Sequence, residues 1–446
     1  MPLPNVLKTP PLFQKLQWIL DPVRYMESAV QQYPDLFTAD IVGFGDTFVF
    51  VQHPEAIQAI LTQDHTKFFA SGRDNTLLQP LVGDQSLFLL EGQNHRQQRQ
   101  LLVPPFHGSR LQTYAQQICT LTQMQLSQLL PQQPFIARSL MQQLTLEIII
   151  QVVFGLSHGD QYSQLKQLLT ALMDLFRSPL TTSFLFIRSL QKDLGTWSPW
   201  GRFLQIRQQI DTLLFTEIAV RRAHPNLDRT DILSMLLLAQ DETGQTMSDR
   251  ALRDELMTLL LAGHETTASA LTWGLYWIYK TPGVREKLQY ELQSLGDAPN
   301  PLEIARLPYL SAVCSETLRI TPVAMLTFPR VVQEPIELLG YPLDMGTIVM
   351  GCIYLLHQRP ELYPNPKAFK PERFLDRQFS PYEFLAFGSG ARRCVGDALA
   401  MLELKLVLAT LVSQAEFELV DAQPELPRRR GVTLTPSRGV KMRLVS

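Results

Sequence analysis

The 446-residue chain is short of net charge, of cysteine and of any unbroken apolar run at its start. Lys and Arg number 40 against 42 Asp and Glu, leaving a formal charge of -2, too weak a field to make nucleic acid or an anionic membrane a default partner. The four cysteines, Cys119, Cys314, Cys352 and Cys394, form no C-x-x-C pair, which argues against a zinc site or a disulfide framework and fits a reducing cytoplasm. Residues 1–21 are broken by Pro2, Pro4, Pro10, Pro11, Lys8 and Lys15, so no secretory signal or transmembrane anchor is expected. No Pro/Gly/Ser-rich linker, internal repeat or low-complexity tract divides the chain. With 45% hydrophobic residues it is expected to form one large domain over residues 1–446.

Helical periodicity fills most of the chain, with apolar residues three to four apart over 111–130, 140–156, 161–176, 203–222, 231–240, 248–280, 282–295 and 397–414. Alternating β-branched and aromatic runs occupy 38–51, where Gly43 and Gly45 are turn residues, then 327–349 and 415–445. The fold expected is mainly α with a small β-sheet region. Ser248 is a good N-cap and Thr281-Pro282 a good stop, so one helix of about 50 Å should cross the domain. Residues 178–201 keep no consistent period and are expected to form a mobile lid.

The residues with most chemical content surround Cys394. Phe387-Gly388-Ser389-Gly390-Ala391-Arg392-Arg393-Cys394-Val395-Gly396 runs directly into the helix predicted from Asp397. A thiol at a helix N-terminus, next to two arginines, is expected to have a lowered pKa. The glycines allow backbone to approach a flat ligand closely. An isolated cysteine would more simply be a buried structural residue, and a nucleophilic cysteine would need a histidine base, for which no histidine here stands in a partner motif.

The string from Phe387 resembles the ligand loop of the cytochrome P450 superfamily, F-x-x-G-x-R-x-C-x-G. That resemblance implies haem b held by Cys394 as iron ligand, Phe387 packed over the sulfur, Arg392 on a haem propionate, and Gly388 and Gly396 shaping the loop. A thiolate ligand favours cleavage of the O–O bond. Three distant strings, in family order, extend the match over residues 36–446, with 1–35 as a lead-in. Glu316-Thr317-Leu318-Arg319 and Pro371-Glu372-Arg373-Phe374 resemble the E-x-x-R and P-E-R-F pair, implying a structural network of Glu316, Arg319 and Arg373. Ala262-Gly263-His264-Glu265-Thr266-Thr267 is similar to the oxygen-binding motif, implying a local opening of the long helix and proton delivery by Glu265 and Thr266. His95 and Arg99, one helical turn apart, match the propionate-binding motif, with Arg330 a third candidate.

By family position the substrate space would be lined by Leu77, Leu87, Leu261, Ala262, Val323, Ala324, Met325 and Leu434 and by lid residues 176–204. Such a lining suits an apolar small molecule, a fatty acid, alkane or terpenoid, as in bacterial and cyanobacterial fatty-acid-hydroxylating members. No flavin or iron-sulfur segment is recognisable in the chain, so electrons from NAD(P)H are expected through a ferredoxin or flavodoxin and its reductase, with O2 as co-substrate. Arg96, Arg99, Arg392 and Arg393 are candidates for the docking patch. The alternatives are a haem-thiolate isomerase or peroxygenase, and a haem-based sensor.

Overall fold

The computed structural model describes residues 3–41, 47–108, 110–175, 191–296 and 298–445, without the side chains of Arg73, Asp74 and Leu77. Every helix predicted from periodicity is present with small shifts at its ends: Arg110–Leu126, Ala137–Phe154, Asp160–Leu175, Pro199–Ala223, Ile232–Leu238, Asp249–Lys280, Val284–Gln293 and Asp397–Gln414. Capping chemistry sets several ends. The Ser248 hydroxyl accepts the Ala251 N–H and starts the central helix, Asp249–Lys280. Gly155, at a left-handed φ of 62°, closes Ala137–Phe154.

Among the described helices that escaped the periodicity reading, four that are nine residues or longer have proline at the first position: Pro11–Leu20, Pro22–Gln32, Pro54–Thr62 and Pro308–Ile320. Proline interrupts a helix interior, but at the first turn its missing N–H has no intrahelical partner to lose. Of the expected lid, residues 176–190 lie outside the described residues; the irregular stretch after them ends where Ser198 caps Pro199–Ala223.

The β structure is small, as expected. Five strands form one sheet in the order Leu36–Asp40, Thr47–Val51, Ile348–Gly351, Arg330–Val332, Phe68–Phe69, with only the Thr47–Val51 and Ile348–Gly351 pair parallel. Arg330 is thereby fixed on an inner strand opposite Val349. A three-stranded sheet joins Pro134–Ile136, Lys441–Leu444 and Phe417–Leu419, and a hairpin pairs Pro427–Arg430 with Thr433–Pro436.

The central helix packs along Ala137–Phe154 on one side and Asp397–Gln414 on another. Two glycines permit the approach: a Cβ on Gly263 would lie 2.7 Å from Ile149 Cδ1, and one on Gly274 would lie 2.8 Å from Leu408 Cδ1. The opening of the helix expected at 262–267 is absent, because Asp249–Lys280 is one continuous α-helix. Gly263 serves close packing there. Fully buried residues such as Leu144, Ile150, Leu271 and Leu408 contribute about 1.5 to 3 kcal/mol each on leaving water. A second core, built around Trp18, Met26, Phe37, Phe50 and Met350, ties the N-terminal helices to the sheet.

Candidate functional site

The loop that ends at Cys394 is held from three directions. Cys394 donates its N–H to the Phe387 carbonyl at 2.9 Å, closing the loop on itself. Gly388 and Gly390 take left-handed φ values of 65° and 70°, and a Cβ on Gly390 would lie 2.4 Å from the Asp64 carboxylate. That close approach lets Asp64 accept the Ala391 N–H at 2.6 Å. Arg392 donates to the carbonyls of Leu87, Ala70 and Leu90 at 2.7, 2.9 and 2.6 Å, tying the loop to the segment before residue 92.

The lowered thiol pKa expected from sequence is overturned by burial. Cys394 has accessible surface, yet desolvation by surrounding protein pushes its thiol up to about 11, outweighing the Gly396 backbone, Arg99 and Arg393. Arg393 donates to Asp397 at 2.6 Å and gives up much of its field there, while Asp397 itself opposes a thiolate. A thiolate at this position needs a cation on the sulfur, because coordination deprotonates a thiol outright.

Beside it lies a cluster rich in positive charge. His95 is buried with Nε2 lacking any partner. Desolvation and the charges of Arg392, Arg99, Arg330 and His65 push its pKa down to about 3. Arg392 itself is lowered to about 10 by burial, Arg330 and Arg99. Arg330 donates to the Phe328 carbonyl at 2.9 Å and to Asp64 at 3.4 Å, and both Arg330 and Arg392 keep a buried Nε with no partner. Cations that raise one another's energy in a buried site are short of an anion.

The central helix is buried on both sides of its midpoint, but Leu261, Ala262, Gly263, Glu265 and Thr266 are only half-buried, so its accessible surface opens there. Thr266 donates its hydroxyl to the Ala262 carbonyl, leaving the oxygen's lone pairs available. Glu265 pairs with Arg138 and accepts from Gln142 Nε2 at 2.8 Å, so its carboxylate is engaged on Ala137–Phe154. Leu87 is buried, Val323 half-buried and Ala324 exposed. The expected lining is corrected at two positions: Met325 and Leu434 are packed inside the second core with Trp18 and Phe50, because the backbone bond from Leu434 N–H to Val323 O draws that strand onto the sheet side. The side chain of Leu77 lies outside the described residues.

Glu316, Arg319 and Arg373 meet as the motif spacing suggests. Arg319 spans both Glu316 oxygens at 2.6 and 2.8 Å, and Arg373 Nε reaches Glu316 at 3.0 Å. Glu316 also accepts the Lys370 N–H at 2.9 Å, and Arg319 donates to the carbonyls of His357 and Pro366 at 2.8 and 2.9 Å. All three side chains are buried and fully engaged, so the network satisfies charges that would otherwise be costly.

The cytochrome P450 family model matches residues 4–443. The chain belongs to the cytochrome P450 family. A Mycobacterium tuberculosis protein provisionally named cytochrome P450 135B1 is 35% identical over 95% of this chain and 87% of its own length. Cytochrome P450 138 of Mycobacterium bovis, also provisionally named, is 32% identical over 98% and 95%. Among solved structures, a retinoic-acid-bound cyanobacterial CYP120A1 superposes with a TM-score of 0.84 at 24% identity, covering 100% of this chain and 99% of that one. CYP102L1 gives 0.83 at 23%, covering 100% and 99%. The matched stretch begins ahead of residue 36 and takes in both N-terminal helices.

The group a P450 uses is haem, and the residues present fit it. Cys394 keeps accessible surface, and beside it an anion-deficient cluster of His95, Arg99, Arg330 and Arg392 has orphaned buried nitrogens suited to two carboxylates. Of the candidate docking arginines, Arg392 and Arg393 are occupied within the protein, whereas Arg96 is exposed.

Sequence reading missed the residues that brace this P450 site from behind. Asp254, Glu255 and Thr258 on the central helix hold the backbone or side chains of Gln85, Leu87 and Ser86 at 2.8, 2.6 and 2.7 Å. The Leu87 carbonyl then holds Arg392, so the central helix clamps the cysteine loop through one short segment. The available signal was acidic residues inside a strongly apolar helix. Arg138 gave the same kind of signal, a lone cation in the apolar helix 137–154.

Proposed function

We propose that this haem monooxygenase hydroxylates an apolar small molecule, a fatty acid, alkane or terpenoid, in the cytoplasm, with electrons delivered by a separate ferredoxin or flavodoxin system. The observation that carries the substrate class is the half-buried strip Leu261–Ala262–Gly263 on an otherwise buried helix, with Val323 and Ala324 also accessible. A space with such walls binds by desolvation and offers few polar handles.

Haem, when bound, supplies oxygen activation and takes up electrons. Cys394 would hold it through the sulfur, and Phe387, whose carbonyl accepts the Cys394 N–H, would fix the loop that presents that sulfur. His95, Arg99, Arg330 and Arg392 receive its carboxylates, which relieves their mutual repulsion. Thr266, with its hydroxyl proton directed to Ala262, would accept a hydrogen bond from a donor in the space and so hold that donor where protons are delivered. Glu265, released from Arg138, would take up a proton from water and hand it on, returning to the carboxylate that pairs with Arg138. Glu316, Arg319 and Arg373 keep the loop in place.

The test is a panel of fatty acids, terpenes and steroids scored by spin-state difference spectra, followed by product analysis and reductant consumption. Spin shifts with apolar acids or terpenes and matching hydroxylated products are expected. Shifts confined to polar ligands would overturn the substrate class, and turnover without net reductant use would favour an isomerase.

A further inference from the structure

The first helix, Pro11–Leu20, carries an apolar face that the fold does not cover. Gln14 and Trp18 are buried, whereas Leu12, Phe13, Leu16, Ile19 and Leu20 are 76%, 58%, 50%, 50% and 70% exposed. Positions 12, 16, 19 and 20 follow one stripe of the helix, with 13 at its edge. Half of a ten-residue helix is thus large apolar surface facing outward. Scattered exposed leucines are ordinary; a contiguous group marks an interaction surface.

A hairpin extends this face. The Arg429 guanidinium lies 5.5 Å from the Trp18 ring, which sets Pro427–Arg430 and Thr433–Pro436 beside the helix. Leu426 and Val432, flanking the first strand, are 64% and 48% exposed. Charge on this side is mostly of one sign: residues 3–26 and 426–432 contain Lys8, Lys15, Arg24, Arg428, Arg429 and Arg430 against Asp21, while Glu27 and Glu425 at their borders are paired with Lys367 and Arg438. Six cations less one acid make +5 here and leave -7 for the rest of a chain whose total is -2. Net charge concealed this segregation. Asp21, moreover, is occupied in accepting the Arg24 N–H at 3.0 Å.

We propose that this face docks the protein onto an anionic lipid bilayer, with the outward side chains of Pro11–Leu20 entering the boundary between headgroups and acyl chains and the exposed Lys8, Arg24 and Arg428 pairing with lipid phosphates. An apolar face with a basic rim is the pattern of a helix lying in the membrane plane. The helix does not span: at ten residues it is about 15 Å long, and no helix among the described residues is long and apolar enough to cross a membrane. Charge also decides against a second copy of the chain. A two-fold dimer through this face would set the same basic rim against itself.

The experiment uses the full-length, haem-loaded protein and sedimentation with vesicles of phosphatidylcholine, alone or mixed with phosphatidylglycerol. Binding should be strong to the mixed vesicles, weak to the neutral ones, and reduced by salt. Leu12→Ser combined with Leu16→Ser and Leu20→Ser should abolish it, while Lys8→Gln with Arg428→Gln should weaken binding to the anionic vesicles roughly tenfold or more and barely change binding to neutral ones. The reduced carbon monoxide spectrum, unchanged in both variants, shows that the site is intact. Three results would overturn the proposal: no wild-type binding to mixed vesicles, undiminished binding by the serine variant, or a wild-type dimer that the serine changes convert to monomer without any vesicle binding.

Discussion

Leu385 donates its backbone N–H to His357 Nε2 at 2.9 Å, two residues ahead of Phe387. Because Nε2 accepts, the ring proton sits on Nδ1, and burial with the nearby Arg319 charge pushes the imidazole's pKa down to about 3. The His357 carbonyl accepts from Arg319. One neutral histidine thus joins the Glu316 network to the cysteine loop, and the stacking of Phe384 on its ring, 5.5 Å between centroids, adds a second tie.

Removing one member of that network should cost haem before it costs substrate selectivity. Glu316→Ala leaves Arg319 and Arg373 as buried charges without a carboxylate, a change worth about 3 to 5 kcal/mol. The expected result is a lower haem-to-protein ratio and melting temperature, with the ranking of substrates unchanged. Arg373→Ala should act likewise. Normal haem loading in both variants would refute the structural role.

Cys394→His should keep most of the fold, since the network and the clamp through Leu87 do not involve the sulfur. The reduced carbon monoxide complex should lose the red-shifted Soret band of thiolate-ligated haem. A wild-type protein without that band would contradict thiolate ligation altogether.

Four buried groups give stability an uneven pH dependence. Burial pushes the carboxyls of Glu255 and Glu403 from 4.5 up to about 8. It pushes the imidazoles of His264 and His357 from 6.5 down to about 4 and 3. Between pH 4.5 and 8 the folded carboxyls hold protons that the unfolded chain has lost, so their effect is falling stability as pH rises. Below pH 6.5 the unfolded imidazoles hold protons that the folded ones do not, so their effect is falling stability as pH drops. The opposing effects cancel between about 4.5 and 6.5. Melting temperature should therefore show a plateau there and decline on both sides. Glu403, whose Oε1 has no partner, is buried in Asp397–Gln414; Glu403→Gln should flatten the alkaline decline by about half. An unaltered alkaline limb in that variant would exclude its contribution.

The residues that became legible first are those whose chemistry depends on short spacing. Phe387 to Gly396, Glu316 with Arg319, and His95 with Arg99 each lie within one turn or one loop, so a linear pattern carries the geometry. Arg138 and Glu265 are 127 residues apart and meet only because two helices pack together through Gly263. Glu255 and Leu87 are 168 apart and meet for a similar reason. The error at Cys394 has a related origin: two arginines adjacent in sequence suggested a stabilised thiolate, but burial of the thiol by the folded chain outweighs them, Arg392 is claimed by the distant carbonyls of Leu87, Ala70 and Leu90, and Arg393 pairs with Asp397 four residues on. Likewise, Met325 and Leu434 were assigned by linear position to a space from which the sheet-side core withdraws them.

The sharpest test of the central helix separates Thr266 from Thr267. Thr266 is half-buried in the stretch where the helix surface opens, and its hydroxyl proton is committed to the Ala262 carbonyl. Thr267, one residue on, is buried at 5% exposure and points away from that opening's accessible surface. Thr266→Ala removes the hydroxyl but keeps a strong helix former, so haem binding and substrate affinity should change little. Product formed per reductant consumed should fall, and hydrogen peroxide should rise in compensation. General acid–base assistance is worth ~10²- to 10⁴-fold, and water replaces a lost hydroxyl in part, so the loss should lie at the lower end. Thr266→Ser restores a hydroxyl at the same position and should recover much of the coupling, which a purely steric role would not predict. Thr267→Ala should leave the ratio near that of wild type. A fall in Thr267→Ala with none in Thr266→Ala would move the role one residue along the helix, and no change in either would remove the hydroxyl from proton delivery.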